Sequence, residues 1–206
     1  MKKINKLPTL VLPKGRLYEG IFKLFSSKKL LLPHSDSRHY FFPQWFDDCN
    51  IFIAKPKSIP HLINSGLCEF GFCGEDLVAD SDCSDKVMLL HKTNLNKISI
   101  VIASPREELP NNITKPLIVA SEFPLIATKY FTEKKLPHYI LPTSGSTEGY
   151  TSIGADCIVD VCETGDTIRA NGLHVNDIVM DSSTSLFTHV ELGDCLLPFC
   201  LQKIIE

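Results

Sequence analysis

The sequence is poor in arginine and lacks the common metal-ligand spacings. Only Arg16, Arg38, Arg106 and Arg169 occur, and the formal net charge is −3. A basic face wide enough to track nucleic acid is therefore not expected. Eight cysteines (49, 68, 73, 83, 157, 162, 195 and 200) contain no C-x-x-C, and seven histidines form no H-x-x-x-H or H-E-x-x-H. No zinc site is read from them. Cys68/Cys73, Cys157/Cys162 and Cys195/Cys200 share a four-residue gap, but several cysteines sit inside apolar runs. Buried reduced thiols acting as small hydrophobes are expected rather than a disulfide or metal framework. No segment approaches the length of a membrane span. The opening "MKKINKLPTLVLPKGR" begins basic and turns apolar, yet Pro8 and Pro13 bracket a run far too short for a secretory h-region. A cytosolic protein without a membrane partner is expected. Internal repeats, low-complexity tracts and obvious linkers are also missing.

What is present is ordinary globular composition: 206 residues, 44% hydrophobic and 22% charged, with 13 Pro and 11 Gly. That suffices for one large domain or two small ones. Thr9–Leu12 reads as a short apolar strand, followed by Leu17, Ile21, Leu24 and Phe25 at helical spacing. "CNIFIA" is a second strand, and in "KPKSIPHLINSG" Ser58 suits an N-cap, Pro60 the first turn and Gly66 the C′ position. "EFGFCGEDLVAD" reads as strand, glycine turn and short helix; "KISIVIASP" and "PLIVASEFP" are β-branched strands. Phe123–Lys134 reads as a helix, "HYILP" as a strand and "SGSTEGYTSIG" as a polar glycine-rich loop. "DIVMDSSTSLF" and a last helical segment through Ile205 complete the chain. The alternation predicts an α/β fold with mostly parallel pairing.

In open α/β sheets, ligands bind beyond the carboxyl ends of the strands. Four such ends carry unusual loops: Pro13–Arg16, Lys55–Ser58, Gly71–Asp76 and Glu163–Thr167. In the last, Gly165 permits close backbone approach, Thr164 and Thr167 offer hydroxyls, and the next helix offers unpaired amides. Asp160, Glu163 and Asp166 would repel a bare phosphate. They suit a ligand that adds hydroxyls or a bridging Mg²⁺ to its phosphate. The plainer reading makes Asp166 an N-cap, Asn171-Gly172 a helix end and Glu163 a solvated charge. Arg16 in its glycine turn beside Lys14, together with Lys55 or Lys57, would hold a polyanion such as pyrophosphate. Lys57 itself reads as a solvated surface charge.

"LPKGRL" (12–17), "GFCGEDL" (71–77), "VASEFP" with "TKYF" (119–131), "SGSTEGY" (144–150) and "GADCIVDVCETGDTIRANGL" (154–173) together resemble ATP phosphoribosyltransferase in its short form. The resemblance runs in order over nearly the whole chain, and the block ending "ETGDTIRANGL" is the most specific. It implies a two-lobed type II periplasmic-binding-protein-like α/β fold with an inter-lobe active-site cleft. Lobe I would be residues 1–95 plus 181–206, on the nucleotide and pyrophosphate side. Lobe II would be residues 96–180, carrying the phosphoribosyl-phosphate loop. It also implies a reaction: phosphoribosyl pyrophosphate and ATP, with Mg²⁺, give N1-phosphoribosyl-ATP and pyrophosphate, the first step of histidine biosynthesis. The family's long form appends a regulatory domain, for which a chain ending at Glu206 is expected to have no room. Short forms imply a separate histidyl-tRNA-synthetase-like regulatory subunit in a hetero-oligomer.

The resemblance assigns Asp160, Glu163, Thr164, Gly165, Asp166 and Thr167 to phosphoribosyl pyrophosphate. Lys14, Gly15, Asp76 and Glu148 fall to ATP, and Arg16 and Lys55 to catalysis at the leaving pyrophosphate; the protein ligands of the metal stay unassigned. Lys55 stands where the family commonly has arginine, so a point charge replaces a bidentate fork. Ser58 stands where aspartate is expected and is read as a helix cap only, and "KTNLNKISIV" replaces a more glycine-rich run. Adenine N1 has a free lone pair at neutral pH, so no general base is required. Positioning and charge stabilisation suffice. The alternatives are a degenerate, non-catalytic family member or a cytosolic small-anion binding protein of the same fold.

Overall fold

A computed structural model describes residues 7–34, 38–83, 85–109, 115–192 and 197–206. Along the chain the elements are β1 (Thr9–Pro13), α1 (Arg16–Ser27), β2 (Phe41–Phe46), β3 (Cys49–Ala54), α2 (Ile59–Asn64), β4 (Phe70–Gly74) and α3 (Glu75–Ala79). They continue as β5 (Val87–Ser104), β6 (Leu117–Ser121), α4 (Pro124–Glu133), β7 (His138–Pro142), β8 (Cys157–Cys162), α5 (Asp166–Ala170), β9 (His174–His189) and α6 (Phe199–Ile205). The chain divides into two compact units, residues 1–96 with 183–206 and residues 97–182, so β5 and β9 contribute to both. Among the described residues, no helix is long and apolar enough to cross a membrane.

In the first unit the strand order is β2-β3-β1-β4-β9. β1 pairs in parallel with β3 and β4, while β2 and β9 run antiparallel at the two flanks. The central strands are mostly apolar because both their faces are covered. Leu10 and Leu12 of β1 point into a cluster with Ile21 and Phe25 of α1 and Leu201 and Ile204 of α6. Val11, between them, joins Ile59 and Ile63 of α2 on the other face. Phe25 is fully buried, edge-on to Phe72 at 5.9 Å; burying such a side chain stabilises the fold by about 1.5–3 kcal/mol.

The second unit has the order β5-β8-β6-β7, with β6 parallel to both β7 and β8 and β5 antiparallel to β8. Its core includes Val101 and Ala103 of β5, Ala120 of β6, Ile158 of β8 and Ile168 of α5. Parallel pairs join β1 to β3 and β4 and β6 to β7 and β8, while the long strands β5 and β9 and the edge strand β2 each run antiparallel to a neighbour, so the sheet is mixed. The glycine-rich segment after β7 is also more regular than a loop, since Thr147–Ile153 winds as a 3-10 helix between left-handed Ser146 and Gly154.

Two further readings need correction. Gly71 and Gly74 are not in a turn; both lie within β4. A Cβ on Gly71 would come within 2.6 Å of Val11 and 2.9 Å of Ile59 and Ile63, so glycine there lets α2 seat on the sheet. Ser58 occupies the N-cap position of α2, yet its side chain makes no capping bond because a 3-10 turn, Pro56–Ser58, already leads into the helix. Gly66 does sit past the end of α2 with φ 69°, as a C′ glycine should.

Gly71→Ala should destabilise the protein by about 1–3 kcal/mol through overpacking against α2. Equilibrium unfolding in urea measures it, and an unchanged midpoint would show that α2 yields without cost.

Candidate functional site

Parallel pairing puts three loop segments of the first unit at one sheet edge. The register pairs Pro13 with Ala54, and the Lys14 amide continues the ladder by donating to the Ala54 carbonyl at 2.8 Å. Lys14–Arg16 and Lys55 therefore leave neighbouring strands at the same end. β4 lies on the other side of β1, also parallel, and ends directly before Glu75 and Asp76. Gly15 turns the chain with φ 72° as the N-cap of α1, which leaves Arg16 exposed at the first helical position. Lys55 is likewise exposed, whereas the Lys14 ammonium lies 3.9 Å over the Tyr40 ring. That cation–π contact orients the lysine.

Asp76 differs from these because it is buried, at 6% exposure. Its carboxylate folds back over Gly74, where a Cβ would collide with the Asp76 Oδ1. With burial as the larger cause, the Asp76 charge helps push the Cys73 thiol well above its usual range. Beside it, Glu75 was missed by sequence reasoning. Its Oε1 accepts hydrogen bonds from the hydroxyls of Ser183 (3.1 Å) and Ser185 (2.8 Å), and Lys92 lies 3.1 Å from its Oε2. Two acids opening a helix right after a strand were the available signal; the serines of β9 were not.

In the second unit, Glu163–Gly165 leaves the carboxyl end of β8, and left-handed Gly165 (φ 75°) serves as the N-cap of α5. Asp166 is therefore the first helical residue and not the cap. Its Oδ2 accepts from the Thr164 hydroxyl at 2.6 Å and its Oδ1 from Arg169 Nη2 at 2.6 Å. The same Arg169 nitrogen donates to the Thr164 carbonyl at 3.0 Å. The Thr164 bond and the arginine together hold the exposed Asp166 carboxyl below its ordinary value. Arg169 is thus part of this loop, and its i,i+3 spacing from Asp166 was a legible signal. The first i→i−4 bond of α5 runs from the Arg169 amide to the Gly165 carbonyl. The amides of Thr167 and Ile168 precede it and have no partner within the helix. Thr167 and Glu163 are exposed alongside.

Asp160, on β8, faces the opposite electrostatic pressure. Burial pushes its carboxyl above the ordinary value of 3.8; the Val161 amide and Thr147 hydroxyl oppose the rise, and the charges of Glu122 and Glu148 add to it. Glu148 lies in the first turn of the 3-10 helix after β7 and Glu122 follows β6, and the charges of both reach Asp160 on β8. Of the expected site residues, Lys14, Gly15, Arg16, Lys55 and Asp76 thus belong to the first unit. Glu148, Asp160 and the residues from Glu163 to Thr167 belong to the second.

The cysteines are mostly buried thiols, as expected, and the fold brings one of them into a grouping that the spacings do not show. Six of the described cysteines are buried, Cys162 is half-buried, and all are free thiols; Cys195 lies outside the described residues. Among the described residues, however, one group has metal-ligating geometry: His61, Asp82 and Cys83. It was invisible in the sequence because His61 and Cys83 stand 22 residues apart and meet only in the fold.

Comparison with known proteins decides the family. Residues 55–195 match the family described as HisG, ATP phosphoribosyltransferase. The chain belongs to that family. An ATP phosphoribosyltransferase of Ignicoccus hospitalis is 33% identical over 185 residues, covering 88% of this chain and 65% of the relative. Another, from Campylobacter fetus, is 29% identical and is covered over 88% of both chains. The chain therefore spans just under two thirds of the Ignicoccus relative's length. In fold, it resembles a chain of the HisG:HisZ ATP phosphoribosyltransferase complex of Thermotoga maritima, with a TM-score of 0.75, 24% identity and coverage of 91% and 90%. The alkanesulfonate-binding protein SsuA of Xanthomonas axonopodis shares the fold more distantly, at a TM-score of 0.53 and 9% identity, covering 96% and 71%. The fold class is thus the periplasmic-binding-protein-like α/β architecture expected from the motifs.

The carboxyl groups yield a pH prediction. Because the folded state raises the Asp160 pKa, this group's contribution to stability is fully present below 3.8 and is lost as pH rises through the folded value. The stability of Asp160→Asn relative to the parent should therefore improve between acidic and neutral pH. Urea midpoints measured across that range check this, and a constant difference would refute the assignment.

Proposed function

We propose that this chain is an ATP phosphoribosyltransferase that transfers the phosphoribosyl group of phosphoribosyl pyrophosphate to N1 of ATP and releases pyrophosphate, opening histidine biosynthesis. The observation that carries the reading is the loop from Glu163 to Thr167. Its left-handed glycine, paired hydroxyls and pre-helical amides follow a parallel strand within a chain of this family. α5 has only five residues, so its dipole is small. The loop amides, the Thr164 and Thr167 hydroxyls and the Arg169 guanidinium would supply most of the hold on the 5′-phosphate. Glu163 and Asp160 are suited to ribose hydroxyls, which a carboxylate accepts from and a phosphate site would not need.

In the first unit, Arg16 and Lys55 meet the negative charge that grows on the departing pyrophosphate as the C1–O bond breaks. Arg16 offers a planar fork and Lys55 a point charge. By their match to the family's motifs, Lys14, Gly15, Asp76 and Glu148 are assigned to ATP. No base is required because adenine N1 attacks with its own lone pair; the residues orient the two substrates and stabilise charge. Mg²⁺ would neutralise phosphate charge on the donor. Mg²⁺ commonly uses one or two carboxylates plus substrate phosphates, and Asp160, which feels the charges of Glu122 and Glu148, would offer it hard oxygen.

The partner in this reading is a histidyl-tRNA-synthetase-like regulatory subunit, on the precedent of the Thermotoga maritima complex. A cytosolic setting is part of the same reading, supported by the free thiols and by the absence of a disulfide among the described residues.

ATP, phosphoribosyl pyrophosphate and Mg²⁺ should give the near-ultraviolet absorbance of N1-substituted adenine, with pyrophosphatase present to draw the reversible reaction forward. No product, with the regulatory subunit also supplied, would overturn the reading. Arg16→Ala should lower turnover by about a hundredfold, the usual loss for one charge-stabilising contact, while ATP affinity barely moves. Thr167→Val should weaken donor binding by roughly tenfold, as loss of a hydrogen bond to a charged group does; equal donor affinity by titration would remove Thr167 from the loop's function.

A further inference from the structure

We propose that His61, Asp82 and Cys83 bind a thiophilic divalent cation, Zn²⁺ by preference, outside the residues assigned to substrate. His61 comes from α2, and the other two come from the turn that follows α3. Cys83 Sγ lies 3.2 Å from His61 Nδ1 and 3.4 Å from Asp82 Oδ1, and those two ligand atoms are 3.7 Å apart. Zinc bonds of about 2.0–2.3 Å in a tetrahedron require ligand atoms roughly 3.3–3.8 Å from one another. The three atoms thus already stand close to three corners of such a site.

The turn is held independently of any metal. The Ser81 hydroxyl donates to the Val78 carbonyl at 2.7 Å and accepts from the Cys83 amide at 3.3 Å. The Cys83 carbonyl accepts from the amides of Lys86 and Val87 at 3.0 and 3.1 Å. Cys83 itself packs in the cluster that contains Ile59 and Ile63 of α2, so both contributors to the site share one rigid core. By contrast, the His61 and Asp82 side chains are 59% and 84% exposed, which leaves solvent access and an open fourth position for water.

The ligand chemistry chooses the ion. Thiolate and imidazole select zinc over magnesium or calcium, which prefer all-oxygen shells. A thiolate and a carboxylate together balance a 2+ charge, and the thiol proton leaves to solvent as the metal enters. Without a metal, the sulfur makes only weak hydrogen bonds to its two neighbours. Binding would clamp α2 to the turn before β5.

Cobalt(II) titration of the reduced full-length chain tests this. A thiolate-to-cobalt charge-transfer band and tetrahedral visible bands should saturate at one equivalent and be displaced by one equivalent of Zn²⁺. Cys83→Ser should abolish the charge-transfer band, and Cys162→Ser should leave it intact. His61→Ala, at a largely exposed side chain that folding does not require, should weaken cobalt binding by more than about tenfold, since loss of even outer-shell partners costs that much. Absence of the band in the parent protein, or its survival unchanged in Cys83→Ser or His61→Ala, would overturn the proposal.

Discussion

The parallel register of β1 with β3 and β4 is the constraint on which the first unit's chemistry depends. Parallel strands end on the same edge, and neighbouring strands lie only about 4.8 Å apart. Pro13 opposite Ala54 therefore fixes where Lys14, Arg16 and Lys55 emerge, whatever their side chains do. The register is kept by burial on both faces: slipping β1 by one residue would exchange Leu10 and Leu12 with Val11 across the sheet. Gly71 belongs to the same constraint, because the seating of α2 depends on the missing Cβ. The cationic side chains at this edge are thus placed by the apolar sandwich behind them.

What was legible follows the same division. β1, β3, β6 and β8 announce themselves because double-sided burial demands continuous β-branched or apolar runs. β2 does not, for it is an edge strand with mostly exposed side chains, Pro43 within it and Gln44 at φ 47°. Its pairing is secured by contacts that no periodicity reports, such as the Gln44 amide on Asn50 and the Trp45 indole on the Leu31 carbonyl. Glycine misled at Gly71 and Gly74, since a small residue signals a turn as readily as a close approach. Asparagine carried information that composition hid. Asn94 and Asn96, in the run that departs from the family pattern, take left-handed φ values of 58° and 50° inside β5. Few other side chains tolerate that conformation. The Asn96 amide then donates to the Thr184 hydroxyl at 3.0 Å, a partner 88 residues away.

The loop after β8 shows why residue types suggest a site sooner than they reveal its wiring. The sequence offers Asp166 as a cap, but the turn needs φ 75°, which only Gly165 supplies cheaply, so the cap moves back by one residue. That shift turns Asp166 toward Arg169 and converts an apparent anion-repelling acid into half of an ion pair. An entering phosphate would compete with Asp166 for the arginine and the Thr164 hydroxyl, so the loop is already organised around negative charge. Asp160 is the complementary case. A carboxyl raised by burial and by two neighbouring acids weakens the fold at neutral pH, a cost that a bound cation or sugar hydroxyls would offset.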